Sequence, residues 1–172
     1  MSEKPIIHWF RRDLRLTDNL ALQAALNSGA PVLPLYVFDP AILRSPNTGA
    51  ARLAFMLGAL ADLDSALRCR GSRLVIRFGD PAAVLAQVVT ETGAGVLFFN
   101  RDYSPFARRR DERVVRSIGI PVHSFDDALL VPPGEAMKPD GQPYTVYTPF
   151  MKAWRKLPKL EPLPDSGGLF AT

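Results

Sequence analysis

The sequence predicts an α/β fold, an open and doubly wound parallel sheet of five strands with helices on both faces. Two observations predict it. Compact apolar runs rich in β-branched and aromatic residues alternate five times with helical patterns. These runs recur roughly every 25 to 35 residues, a spacing that accommodates a crossover helix and implies parallel pairing through right-handed connections.

The first strand is Ile6-Ile7-His8-Trp9-Phe10, which runs into the charges of Arg11 and Arg12. Thr17, Asp18 and Asn19 then supply an N-cap for a short helix with Leu20, Leu22, Ala24, Ala25 and Leu26, closed by Gly29. Residues 31–38, PVLPLYVF, read as a second buried strand, although Pro34 at its centre has no N–H to give to a ladder. A loop over 39–48 leads to the longest helix, about residues 49–70. Leu53, Leu57, Leu60, Leu63 and Leu67 form its apolar face, and Gly71 stops it. Residues 74–78 make the third strand. Asp80 caps the next helix with Pro81 at its first position, where a missing N–H costs nothing. Residues 96–99 are the fourth strand, Pro105 opens a basic helix to about Ile118, and residues 121–125 are the fifth strand. The architecture is Rossmann-like. In such sheets ligands sit beyond the carboxyl ends of the strands, where the strand order reverses. The loops to interrogate are therefore 11–15, 39–43, 79–80 and 100–104.

Three segments follow from this pattern. Residues 1–128 form the α/β domain. Residues 129–157 read as an irregular crossing and short helix (about 148–156, with Phe150, Met151 and Trp154) of the same domain. Residues 158–172, punctuated by proline and glycine without a periodic face, read as a linker to a further domain.

A chain of 172 residues can build one core, and 47% apolar with 22% charged residues is ordinary for a soluble globular protein. No apolar run approaches the about 18 residues of a membrane span, and no signal-peptide pattern opens the chain. The single Cys69 cannot form an internal disulfide. A cytoplasmic protein with no membrane partner is expected. The net charge of +4 is clustered: six arginines lie within 101–116, and Lys152, Arg155, Lys156 and Lys159 follow later. A solvated helix face is the simpler reading of such runs, and a polyanion partner the sharper one.

Hydrolytic chemistry is poorly represented. His8 and His123 both fall inside strands and read as core or strand-face residues rather than bases. There is no nucleophile elbow, Walker loop or G-x-G-x-x-G, and no metal-ligand spacing. Three stretches exceed what a plain domain needs. WFRRDLRLTDN puts three arginines and two aspartates at the exit of the first strand, where Asp13 with a neighbouring arginine reads as a structural clamp. NRDYSPFARRRD joins polar groups, aromatic faces and a helix N-terminus, a combination suited to a planar polar ring or an anion. YTVYTPF with Trp154 packs either on this domain's own sheet or on an absent partner.

Together with FDPAIL after the second strand and FGDP after the third, these stretches resemble the N-terminal domain of DNA photolyases and cryptochromes, in order from about Ile6 to Trp154. The resemblance implies a domain that binds an antenna chromophore, which absorbs light and passes excitation to FAD. That FAD belongs to a helical C-terminal domain absent from this chain, which is one implied partner. Damaged DNA, bound through the full-length protein, is the other. Light-driven repair of pyrimidine dimers would be the activity of the whole, a deoxyribodipyrimidine photo-lyase; the chain alone is expected not to catalyse it. Folate-type members look to have Asn-Glu where this chain has Phe106 and Ala107. The resemblance therefore favours a deazaflavin (8-HDF) or a flavin such as FMN over methenyltetrahydrofolate. Carried over by the same resemblance, the cofactor-binding residues are Tyr36, Phe38, Asp39, Arg52, Asp102, Ser104 and Arg110. Phe38 would stack on the ring, Asp102 and Arg52 would hydrogen-bond, and Arg110 would lie nearest an anionic tail or ring oxygen. Ser104 replaces an acidic residue of a deazaflavin-type relative. Three alternatives remain: the same domain of a cryptochrome photoreceptor, a nucleotide-binding α/β module, and a structural domain with an empty site.

Overall fold

A computed structural model describes residues 4–46, 48–165 and 167–171. Residues 1–3, Asn47 of the predicted loop, and Ser166 and Thr172 of the predicted linker lie outside the described residues. The strands are β1 (Ile6–Phe10), β2 (Val32–Phe38), β3 (Val75–Phe78), β4 (Val96–Asn100) and β5 (Val122–Phe125). The helices are α1 (Leu20–Leu26), α2 (Pro40–Leu43), α3 (Ala50–Arg68), α4 (Pro81–Thr92), α5 (Pro105–Ser117) and α6 (Tyr147–Lys156). All strand pairs are parallel, in the order β3-β2-β1-β4-β5. The order reverses between β1 and β4, and there the sheet opens a crevice at its carboxyl end.

The two-residue period of a strand sorts the core into two layers. Ile6, Phe10, Val32, Tyr36 and Phe98 pack against Leu22 and Leu26 of α1 and Leu60, Leu63 and Leu67 of α3. Ile7, Trp9, Leu35, Val37, Leu97 and Phe99 pack on the other face against Val84, Leu85 and Val88 of α4 and Val114 of α5. All five residues of central β1 are buried, as a strand covered on both faces requires.

Pro34 is reconciled with an interior strand by its position. Val32 turns its N–H and C=O toward Leu169 and Ala171, on the β3 side, so Pro34 two residues on faces the same way. Pairing with β3 starts only at Leu35 opposite Val75. The missing N–H thus falls in a gap of the ladder, where it breaks nothing.

Several local expectations change. The loop over 39–48 contains the short helix α2, capped by Asp39, whose carboxylate accepts the Ala41 N–H at 2.8 Å. Only Leu60, Leu63 and Leu67 of the predicted α3 face are buried; Leu57 is half exposed, and the N-terminal half of α3 has no buried residue before Leu60. Asp80 stands at the N-cap of α4 but makes no cap bond; its carboxylate instead accepts from Arg113 at 2.8 Å. The stretch read as a linker folds back on the domain. Leu163 donates its N–H to Asp18, Arg70 pairs with Asp165, and Phe170 is 6% exposed beside Val32. By contrast, α6 has no buried residue, and Tyr147 at its start is 74% exposed.

Candidate functional site

The crevice between β1 and β4 has a polar floor. Asn100, the last residue of β4, is buried; its Nδ2 donates to Asp13 Oδ2 at 2.6 Å and to Asn19 Oδ1 at 2.8 Å. Its Oδ1 accepts the Ala21 N–H at 3.0 Å, and Asn19 Oδ1 also accepts the Leu22 N–H, so two first-turn donors of α1 are satisfied. Asp13 Oδ1 accepts the Arg11 N–H at 2.9 Å. The clamp expected of Asp13 is therefore real in place but different in kind. Its partners are amides, because the arginines beside it reach elsewhere.

Arg11 crosses to Asp111 of α5 at 2.7 Å, and Arg110 binds the same carboxylate at 2.9 Å. Both guanidiniums are buried and lie about 5 Å from the Trp9 ring. Burial lowers the Arg11 pKa and the neighbouring Arg110 lowers it further, while Asp111 opposes both. Arg15 pairs with Asp127 at 2.7 Å. Arg12 is left 82% exposed at the rim, 3.7 Å from Asp102. Burial pushes the Asp102 carboxyl up, but the Ser104 N–H and Arg12 together outweigh it and hold it below the usual range. Tyr103 donates to Asp126 at 2.8 Å; burial first, and this acceptor second, push its phenol up to about 12.

These groups enclose a cleft of about 420 Å³ between the β1 exit, the loop 100–104 and residues 127–129. A second cleft of about 560 Å³ lies across the Arg101–Tyr103 loop, against Arg108, Pro132 and Pro133. Of the seven expected site residues, Asp102 and Ser104 line the first cleft. Ser104 also caps α5 by accepting the Ala107 N–H at 3.3 Å. Tyr36, Phe38 and Asp39 gather at the end of β2, where the Tyr36 ring stands edge-on to Phe38 at 5.1 Å and its hydroxyl donates to Met56 Sδ at 3.1 Å. Arg52 is exposed in the first turn of α3. Arg110 is buried beneath Trp9 rather than open to the crevice. These five do not line the first cleft. Sequence reasoning pointed to its loops 11–15 and 100–104, but missed 127–129, which no strand-end rule marks out.

The cleft offers charged and amide hydrogen-bonding groups without a nucleophile paired to a base. Among the described residues, no group of three or more His, Cys, Asp or Glu could hold a metal. Fold and cleft together define a doubly wound α/β domain with an open polar cleft at its switch point, the place where sheets of this kind take ligands. The family model described as DNA photolyase matches residues 6–166. A deoxyribodipyrimidine photo-lyase of Synechococcus is 38% identical over 162 residues, covering 92% of this chain and 34% of that protein. Cryptochrome-1 of Arabidopsis thaliana is 39% identical over 156 residues, covering 88% of this chain and 23% of that protein. The archaeal photolyase from Sulfolobus tokodaii superposes with a TM-score of 0.87 at 31% identity, over 97% of this chain and 38% of its own. That structure is described as holding two FAD molecules, with the implication of a novel light-harvesting cofactor.

The chain belongs to the DNA photolyase family and corresponds to its N-terminal domain, spanning well under half the length of these relatives. The expected fold and family both hold.

Proposed function

We propose that this chain is the light-harvesting domain of a deoxyribodipyrimidine photo-lyase, and that its antenna is a deazaflavin (8-HDF) or a flavin such as FMN. The observation that carries the reading is the switch-point cleft, rich in charged and amide groups yet without a catalytic pair. Bound there, the chromophore would absorb light and pass excitation to FAD in the remaining polypeptide. Asp102 and Ser104 would hydrogen-bond it in the cleft, while Tyr36, Phe38, Asp39 and Arg52 on the β2–α3 side and the buried Arg110, which do not line the cleft, would meet only a part of the chromophore that extends beyond it. Phe106 and Ala107 have no side-chain group to hold a pterin, which counts against methenyltetrahydrofolate.

Absorbance titration of the chain with FMN, 8-HDF and methenyltetrahydrofolate tests the assignment. Tight folate binding with neither of the others would overturn it. Arg52→Ala is expected to weaken the favoured ligand about tenfold, the loss of one charge-assisted hydrogen bond; unchanged affinity removes Arg52 from the site.

The implied partner is a helical FAD domain, through which damaged DNA would bind. Tyr147, Phe150, Met151 and Trp154 recur on one stripe of α6 with none of them buried, which supports docking of that stripe on the partner. Cys69, exposed and without a disulfide, fits the cytoplasm. The similarity to cryptochrome-1 keeps a second reading, the same domain of a photoreceptor. Dimer repair by the full-length protein under illumination separates the two.

A further inference from the structure

We infer that Arg11 and Arg110 make Trp9 too hard to oxidise to quench a chromophore excited in the adjoining cleft. The inference rests on the chromophore reading above. Trp9 is 2% exposed and lies two residues before Arg11, which lines the cleft. Two residues of extended chain span at most about 7 Å, so a ring in the cleft sits within electron-transfer range of the indole. An excited flavin or deazaflavin is a strong one-electron oxidant, and an indole is among the most easily oxidised side chains. One electron would leave the indole as a radical cation is formed and enter the excited ring. Its return would release as heat the energy that the antenna exists to hand on.

The surroundings of Trp9 oppose that loss. The guanidinium carbons of Arg11 and Arg110 lie 5.0 and 4.9 Å from its ring centroid. Each side chain is 6% exposed, so water and salt screen neither well. They share the single carboxylate of Asp111, which leaves one positive charge in excess. A cation on an indole face is attracted by the π electrons but repelled by a radical cation, so both arginines raise the energy of removing an electron. Arg11 also keeps a buried Nη2 without a hydrogen-bond partner and lies 4.5 Å from the Phe99 ring. Its head is thus placed against aromatic faces on one side while Asp111 holds the other. A purely structural clamp would leave the excited state of a bound ring untouched, and that difference is measurable.

Time-resolved fluorescence of whichever ring binds, FMN or 8-HDF, tests the inference. The bound lifetime in Trp9→Phe is expected to match wild type. Arg110→Met, which leaves Asp111 paired with Arg11, is expected to shorten it by a factor of about three or more. The double variant Trp9→Phe/Arg110→Met is expected to restore it. A lifetime that lengthens severalfold in Trp9→Phe means that Trp9 quenches despite its arginines and overturns the inference, whether or not Arg110→Met folds. An unchanged lifetime in a folded Arg110→Met overturns it as well. Failure of both rings to bind overturns the chromophore reading and the inference together, whereas binding with quenching by Trp9 overturns the inference alone.

Discussion

His8 lies fully buried at the centre of β1 with neither ring nitrogen hydrogen-bonded. Burial lowers its pKa to about 4 from 6.5, with Arg11 lowering it too and Asp13 pulling the other way. Between those values an unfolded chain takes up a proton that the folded one refuses. Stability contributed by His8 is therefore complete above pH 6.5 and lost as pH falls toward 4. Urea unfolding at pH 7 and pH 4.5 is expected to show wild type losing about 2 kcal/mol more than His8→Phe; equal losses would mean that the ring is protonated in the folded state. Asn100 matters for a different reason. Asn100→Ala would take the shortest donor from the Asp13 carboxylate and leave the Ala21 N–H without its acceptor, at an expected cost of about 3 kcal/mol in the same measurement. A loss under 1 kcal/mol would show that water replaces the amide, by the same reasoning.

At the scale of elements, the C-terminal strap behaves as a short extension of the sheet edge. Leu169 O accepts the Val32 N–H and Ala171 N–H donates to Val32 O, beside the gap left by Pro34. The approach is close: a Cβ on Gly168 would meet Leu26 Cβ at 2.7 Å. Phe170→Ala is expected to destabilise the domain by about 3 kcal/mol, as for other buried aromatic truncations. Gly168→Val should mimic it by lifting the strap. Thermal melts of both variants decide this, and wild-type midpoints would show that the strap contributes nothing. The half-covered α3 points the same way. Its N-terminal half has no buried residue before Leu60 and leaves Phe55 80% exposed, so helix length was legible as a period but burial was not.

At the scale of the molecule, the chain is expected to bind an antenna yet repair nothing by itself. Illumination of the purified chain with free FAD and dimer-containing DNA is expected to leave the dimers intact. Repair under those conditions would contradict the assignment of that chemistry to the rest of the polypeptide. The exposed stripe of α6 and the covered tail show why composition misleads here: aromatic residues 147–154 stay outside, while Phe170 within a proline- and glycine-rich stretch goes inside.

The five strands, the helices between them apart from α2, their placement on both faces and the cleft loops 11–15 and 100–104 were readable in the amino-acid pattern. Each follows from local periodicity, from caps such as Asn19, and from the rule that parallel strands end at the ligand. Partner choice was not readable. Arg11 reaches Asp111 and Arg15 reaches Asp127, 100 and 112 positions away, although Asp13 stands beside both. A charge pairs with whatever the fold brings within about 3 Å, and only the packed sheet sets those distances.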